Sequence, residues 1–203
     1  MNRWFSVLLL IFSVLFVTGC NPERTVTLQP GGLEGKDTYV WSDNLQANFG
    51  DTDSLPVGER GSAENRECYT LIEFTGLSEY DGVEVLSANL ELYCNNSNTA
   101  EASIFVSPIT ESWDEPTVRW YSQPQEDAES AVSVSWPENA SWWSVDVTGI
   151  VTSWLDGTRD NFGFMIYCDT SETTVEDDWT SFYSSDYEDD EALWPKLTLE
   201  YKD

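Results

Sequence analysis

From Leu86 to Cys94 the chain alternates, with Leu86, Ala88, Leu90, Leu92 and Cys94 on one side and Ser87, Asn89, Glu91 and Tyr93 on the other. A period of two sends successive side chains to opposite faces of a strand, so this segment reads as a strand with one buried and one wet face. Shorter runs of the same kind occupy Thr38 to Trp41, Tyr69 to Phe74, Ala102 to Pro108, Trp143 to Val147, Phe162 to Cys168 and Leu197 to Tyr201. Clusters of Gly, Asn, Asp and Ser separate them, as turns require. Many short strands of this kind predict an all-β antiparallel sandwich or jelly roll. One segment departs from the pattern. Val147, Ile150, Val151, Trp154 and Leu155 fall on one helical stripe, with Asp146 placed to cap its start and Gly157 to end it in the left-handed region.

The first twenty residues stand outside this pattern. Arg3 precedes an apolar run, Phe5 to Val17, that is too short to span a bilayer as a helix and ends in Val17-Thr18-Gly19-Cys20. This is the pattern of an export signal resembling a lipoprotein lipobox, and it predicts cleavage before Cys20 and lipidation of its sulfur. The expected organisation is a lipoprotein signal peptide at 1–20, a short tether at 21–26 and one domain at 27–203. The protein is then exported and anchored by acyl chains alone at the cell surface or periplasmic face.

Charge sharpens the picture. The chain carries 37 acidic and 9 basic residues, a net of −28, and no histidine. Such a surface repels nucleic acid and anionic membranes. The lack of histidine removes Ser-His-Asp and Cys-His catalysis and the usual zinc sites. Beyond Cys20 there are Cys68, Cys94 and Cys168. Cys94 and Cys168 each end an apolar strand and form the first candidate disulfide pair; three buried thiols are the equal alternative.

A series of motifs runs in order along the chain: LQPGGLEGKDTYV at Leu28 to Val40, NFGDTDSLPVG at Asn48 to Gly58, LIEFTGL at Leu71 to Leu77 and VLSANLELY at Val85 to Tyr93. ITESWDEPTVRW at Ile109 to Trp120, WWSVDVTGIVTSWLDGTRDNFGFMI at Trp142 to Ile166, FYSSDY at Phe182 to Tyr187 and PKLTLEY at Pro195 to Tyr201 complete it. The series resembles the DNRLRE domains, also described as carbohydrate-binding module family 96. The resemblance implies a jelly-roll β-sandwich with one short helix that binds polysaccharide outside the cell without catalysis. It also assigns Trp113, Trp120, Trp142 and Trp154 to packing.

Sugar rings lay an axial C–H face on aromatic planes, so tryptophans that no fold motif requires are the candidate glycan platforms. These are Trp41, Trp136, Trp179 and Trp194. Tyr69 joins them because it and Glu73 stand where the family pattern has arginine, and Trp194 also replaces an arginine. Three lost cationic positions point to a neutral glycan, or to an acidic one bridged by calcium. Calcium takes oxygen ligands, and Asp156, Asp160 and Asn161 in LDGTRDN, with Asp37 near the first strand, are the candidate ligands of a structural Ca2+. A glycosidase needs two carboxylates at a set separation, and no motif pairs two here. The alternative function is a surface scaffold or adhesion domain that contacts protein.

Overall fold

The computed structural model describes residues 21–60, 66–98, 103–168 and 178–203. In β5 (Glu84–Ser97) the predicted alternation becomes a stripe: Ala88, Leu90, Leu92 and Cys94 are fully buried, and their neighbours face outward. β8 (Ser141–Asp146) and β11 (Lys196–Lys202) alternate in the same way, whereas β2 (Lys36–Trp41), β4 (Glu67–Glu73), β6 (Ile104–Pro108) and β9 (Phe164–Cys168) bury successive residues. Four further strands have weaker sequence signals: β1 (Arg24–Leu28), β3 (Ser54–Glu59), β7 (Val132–Val134) and β10 (Trp179–Tyr183). The predicted strand start at Ala102 and the lipidation site Cys20 lie outside the described residues. Strand β1 begins inside the expected tether, because Arg24 to Leu28 pair with β11 from Tyr201 to Leu197.

The strands form a curled antiparallel sheet folded into a sandwich. One layer runs β1–β11–β5–β8 and the other β2–β4–β9–β6–β7. The β3–β10 pair joins them, since β10 continues along β5 where β11 stops and β3 meets the start of β4. Between the layers lies the main core, which includes Leu55, Ile72, Leu90, Leu92, Trp143, Val145, Phe164, Phe182 and Leu199.

Helix α1 (Thr148–Leu155) closes one end of this core with Ile150, Val151, Trp154 and Leu155 buried, as its stripe predicts. Its N-cap is Val147, which makes no side-chain cap, so Asp146 is not the cap the sequence suggests. One residue earlier, Asp146 Oδ1 accepts hydrogen bonds from the Thr148 N–H at 3.0 Å and hydroxyl at 2.6 Å and holds the turn into the helix. These bonds hold the Asp146 carboxyl below its ordinary pKa. Gly157 follows with φ +75°, the left-handed end the sequence predicts. Among the described residues no helix is long and apolar enough to cross a membrane.

A second, smaller core sits on the outer face of the β2–β4–β9 layer. There Val40, Leu71 and Met165 are covered by Ile109, Trp113 and Val118 from the long segment after β6. Trp113 is fixed by a hydrogen bond from its indole N–H to the Phe162 carbonyl (2.9 Å). Strands β4 and β9 are thus buried on both sides, whereas β5 has one wet face. The expected Cys94–Cys168 disulfide does not form: Cys68, Cys94 and Cys168 are free thiols, all buried. Cys94 Sγ instead lies 3.4 Å from the Thr180 hydroxyl. Burial pushes the Cys68 thiol up to about 12 and raises that of Cys94 as well.

Candidate functional site

The wet face of the β5 layer carries a row of aromatic rings. Tyr93 is the last outward residue before β5 passes from β11 to β10, and its direct cross-strand partner on β8 is Trp142. Because side chains alternate, Trp142 must face away from Trp143, which fills the core. Trp142 and Tyr93 meet edge to face with centroids 5.5 Å apart. On its other side Tyr93 is parallel to Tyr183 of β10 at 6.0 Å, and Tyr183 stacks on Tyr187 at 3.7 Å. The row crosses three elements: β8, β5 and β10 with the turn after it. Trp142 is 37 % exposed, so the packing role implied for it is not what the structure gives.

Polar groups border the rings. Lys196 Nζ lies 4.0 Å from the Trp142 ring centre and 3.4 Å from the Glu91 carboxylate, which also accepts a hydrogen bond from the Thr198 hydroxyl. Tyr93 donates its hydroxyl to the Ala140 carbonyl at 3.1 Å, which fixes the ring. The Tyr187 hydroxyl is raised to about 12, chiefly by its hydrogen bond with Tyr183. A row of preset rings, with Trp142 edge-on to Tyr93 and Tyr183 stacked on Tyr187, offers apolar aromatic surface with hydrogen-bonding groups at its border.

The tryptophans named from the sequence are dispersed. Trp136 and Trp179 come together beside Gly58 at the β3–β10 junction, where Arg60 lies over the Trp179 ring at 4.9 Å. Trp136 is partly buried against the main core. Trp41 sits at the end of edge strand β2, half-buried. The Trp194 ring lies on Gly31, where an added Cβ would stand 2.6 Å from it, and its N–H donates to the Tyr187 carbonyl at 2.7 Å. Trp194 thereby braces the turn that carries Tyr187. Tyr69 packs in the second core, with its ring 5.0 Å from Trp120 and 5.8 Å from Tyr167 and its hydroxyl on Glu67. Glu73, at the other lost arginine position, pairs with Lys36.

The four oxygen-bearing residues named for calcium also separate. Asp156 accepts from the Thr158 N–H and hydroxyl, and Asn161 accepts from the Gly163 N–H, so both serve their own turns. Asp160 lines the cleft beside α1 together with Arg159. Of the four, only Asp37 stands in a group of three carboxylates among the described residues. One oxygen each of Asp37, Glu115 and Asp186 lies within 4.8 Å of the others.

Asp37 is 2 % exposed on the inner side of β2. Its Oδ2 accepts from the Ser185 N–H at 3.0 Å, and its own N–H donates to Glu115 Oε1 at 2.9 Å. Its Oδ1 has no hydrogen-bond partner, and neither has the buried Ser185 hydroxyl. That hydroxyl favours the charged carboxyl but falls short of hydrogen-bond geometry with it. Burial, opposed by Ser185, pushes Asp37 up to about 7, and burial likewise raises Glu115 and Asp186.

A sandwich whose wet sheet face presents ordered rings has the form of a binding module. Residues 33–199 match carbohydrate-binding module family 96, and the chain belongs to that family of non-catalytic carbohydrate-binding domains. No significant match is found among curated proteins.

Proposed function

We propose that this protein holds a neutral polysaccharide along the row Trp142, Tyr93, Tyr183 and Tyr187, as a non-catalytic module displayed outside the cytoplasmic membrane on a lipid anchor at Cys20. The observation that carries this reading is the row itself: four outward rings in sequence on the wet face of a rigid sheet. The β5 layer holds them in place, so little side-chain entropy is lost when a ligand docks. The bordering cation, Lys196, is neutralised by Glu91, and the net charge of −28 opposes a uronate polymer unless a divalent cation bridges it.

Affinity electrophoresis against neutral and acidic polysaccharides, with calcium and again with EDTA, tests the reading. Retardation by a neutral polymer is expected, with Trp142→Ala weakening it about thirtyfold, the cost of a truncated aromatic anchor of roughly 2 kcal/mol. Trp179→Ala, at the far junction, retains binding. Unchanged binding in both Trp142→Ala and Tyr183→Ala removes the proposed face, and retardation by no polymer removes glycan binding. Stronger binding of alginate than of neutral glucans in EDTA overturns the neutral preference. For the anchor, Cys20→Ser is expected to release the protein from the membrane fraction.

A further inference from the structure

Three separate parts of the chain converge on Asp37. Glu115 comes from the long segment after β6, 78 residues further on, and Ser185 and Asp186 follow β10. Three glycines allow this convergence. A Cβ at Gly35 would stand 2.5 Å from the Ser185 hydroxyl, one at Gly50 would stand 2.9 Å from Glu115 Cγ, and one at Gly32 would overlap the Asp186 carboxylate. The close approach is therefore built into the β1–β2 loop and the NFGD turn.

What the fold gathers there is negative charge without a matching cation. Among the described residues no lysine or arginine pairs with Asp37, Glu115 or Asp186. The nearest cation acting on Glu115, Lys36, is bound to Glu73 and laid on the Trp113 ring at 4.2 Å. Asp51 and Glu188 add further negative potential. Three carboxylates this close repel one another, and an enclosed carboxylate oxygen with no partner costs the fold free energy.

We propose that Asp37, Glu115 and Asp186 bind one hard divalent cation, Ca2+, which ties the start of β2, the segment after β6 and the turn after β10 together. Beyond the carboxylates themselves, one buried neighbour points to a ligand: the 2 % exposed Ser185 hydroxyl beside Asp37 makes no hydrogen bond, and neither does Asp37 Oδ1. All donors are oxygen, which selects calcium or magnesium over zinc or copper. One oxygen of each lies within 4.8 Å of the other two, close enough for all three to reach a single ion at calcium's distance of about 2.3 to 2.6 Å, and calcium accepts such irregular geometry more readily than magnesium. Asp186 also lines an open acidic cleft of about 520 Å³, a route of entry. The same turn carries Tyr187, which lines that cleft, so the test uses no glycan and reads the ion alone.

Calorimetric titration of CaCl2 into EDTA-stripped protein at 0.1 M salt, with thermal melts alongside, tests it. One ion per chain is expected, with a rise in Tm of about 5 to 10 °C at a hundred times Kd. Glu115→Gln is expected to weaken binding at least tenfold and Asp37→Asn to abolish it, whereas Asp156→Asn leaves it intact. Should Asp37→Asn fail to fold, Glu115→Gln decides alone. The proposal is overturned by no heat and no Tm change up to millimolar calcium. Equal binding in wild type and Glu115→Gln overturns it as well, since that is the signature of ions collected diffusely by an acidic surface.

Discussion

Replacing Gly163 by alanine tests the packing of the sandwich at a single carbon atom. Gly163 precedes β9 with φ +85°, and its carbonyl accepts a hydrogen bond from the Ile109 N–H at 2.9 Å. A left-handed residue with a Cβ costs about 1 to 2 kcal/mol. Here the Cβ would also overlap the Ile72 carbonyl oxygen and stand 2.9 Å from the Glu73 Cα. Both are backbone atoms of β4, and β4 cannot retreat without breaking the Ile72–Phe164 register at which β4 and β9 pair. Overpacking adds about 1 to 3 kcal/mol, so the total is roughly 3 to 4 kcal/mol.

At about 2 to 4 °C per kcal/mol for a domain of this size, Tm falls by about 10 °C. Gly157→Ala is the control, because it shares the positive φ (+75°) but has nothing within 4 Å of the new Cβ. It carries the conformational cost alone, and a fall of about 3 to 6 °C is expected. Thermal melts followed by circular dichroism or calorimetry measure both. Equal falls in the two variants would refute the steric half of the reasoning, and a fall under 2 °C in Gly163→Ala would refute all of it.

Further predictions concern the turn into α1 and the thiols. Asp146→Ala is expected to cost about 1 kcal/mol at pH 7 by removing the two Thr148 hydrogen bonds that lead into α1. Because the folded-state pKa of Asp146 is lowered, that contribution is present above the ordinary carboxylate range and lost as pH falls through the folded value. The wild-type and mutant melting curves should therefore converge as the pH is lowered, and a constant gap would show that the carboxylate does not hold this turn. Cys68, Cys94 and Cys168 should resist Ellman's reagent at pH 8 in the native protein and react after denaturation, because burial raises the thiols of Cys68 and Cys94 and encloses that of Cys168. A disulfide-linked peptide in a non-reduced digest would contradict this.

Much of the fold is legible along the chain because its cause is local. Alternation at Leu86 to Cys94, the stripe from Val147 to Leu155 and the glycine at 157 each follow from backbone geometry within a few residues. The same parity rule already sets Tyr93 on the wet face of β5 and sends Trp142 opposite to Trp143. A rule that picks tryptophans lying outside the fold motifs passes over this strip, although half of it follows from alternation. The other half, Tyr183 and Tyr187, depends on β10 lying beside β5, which no local pattern dictates.

The oxygen cluster shows the same boundary. LDGTRDN looks like a ligand set because its oxygens are close in sequence, yet closeness lets Asp156 and Asn161 satisfy their own backbone and leaves little for an ion. Asp37, Glu115 and Asp186 are far apart in sequence, and only the closing of the sandwich brings them together. The sequence by itself determined seven of the eleven described strands, the helix and the family. Tertiary structure alone decided which rings stand in a row and which carboxylates share one space, because strand pairing and loop packing act over distances that no short-range period encodes.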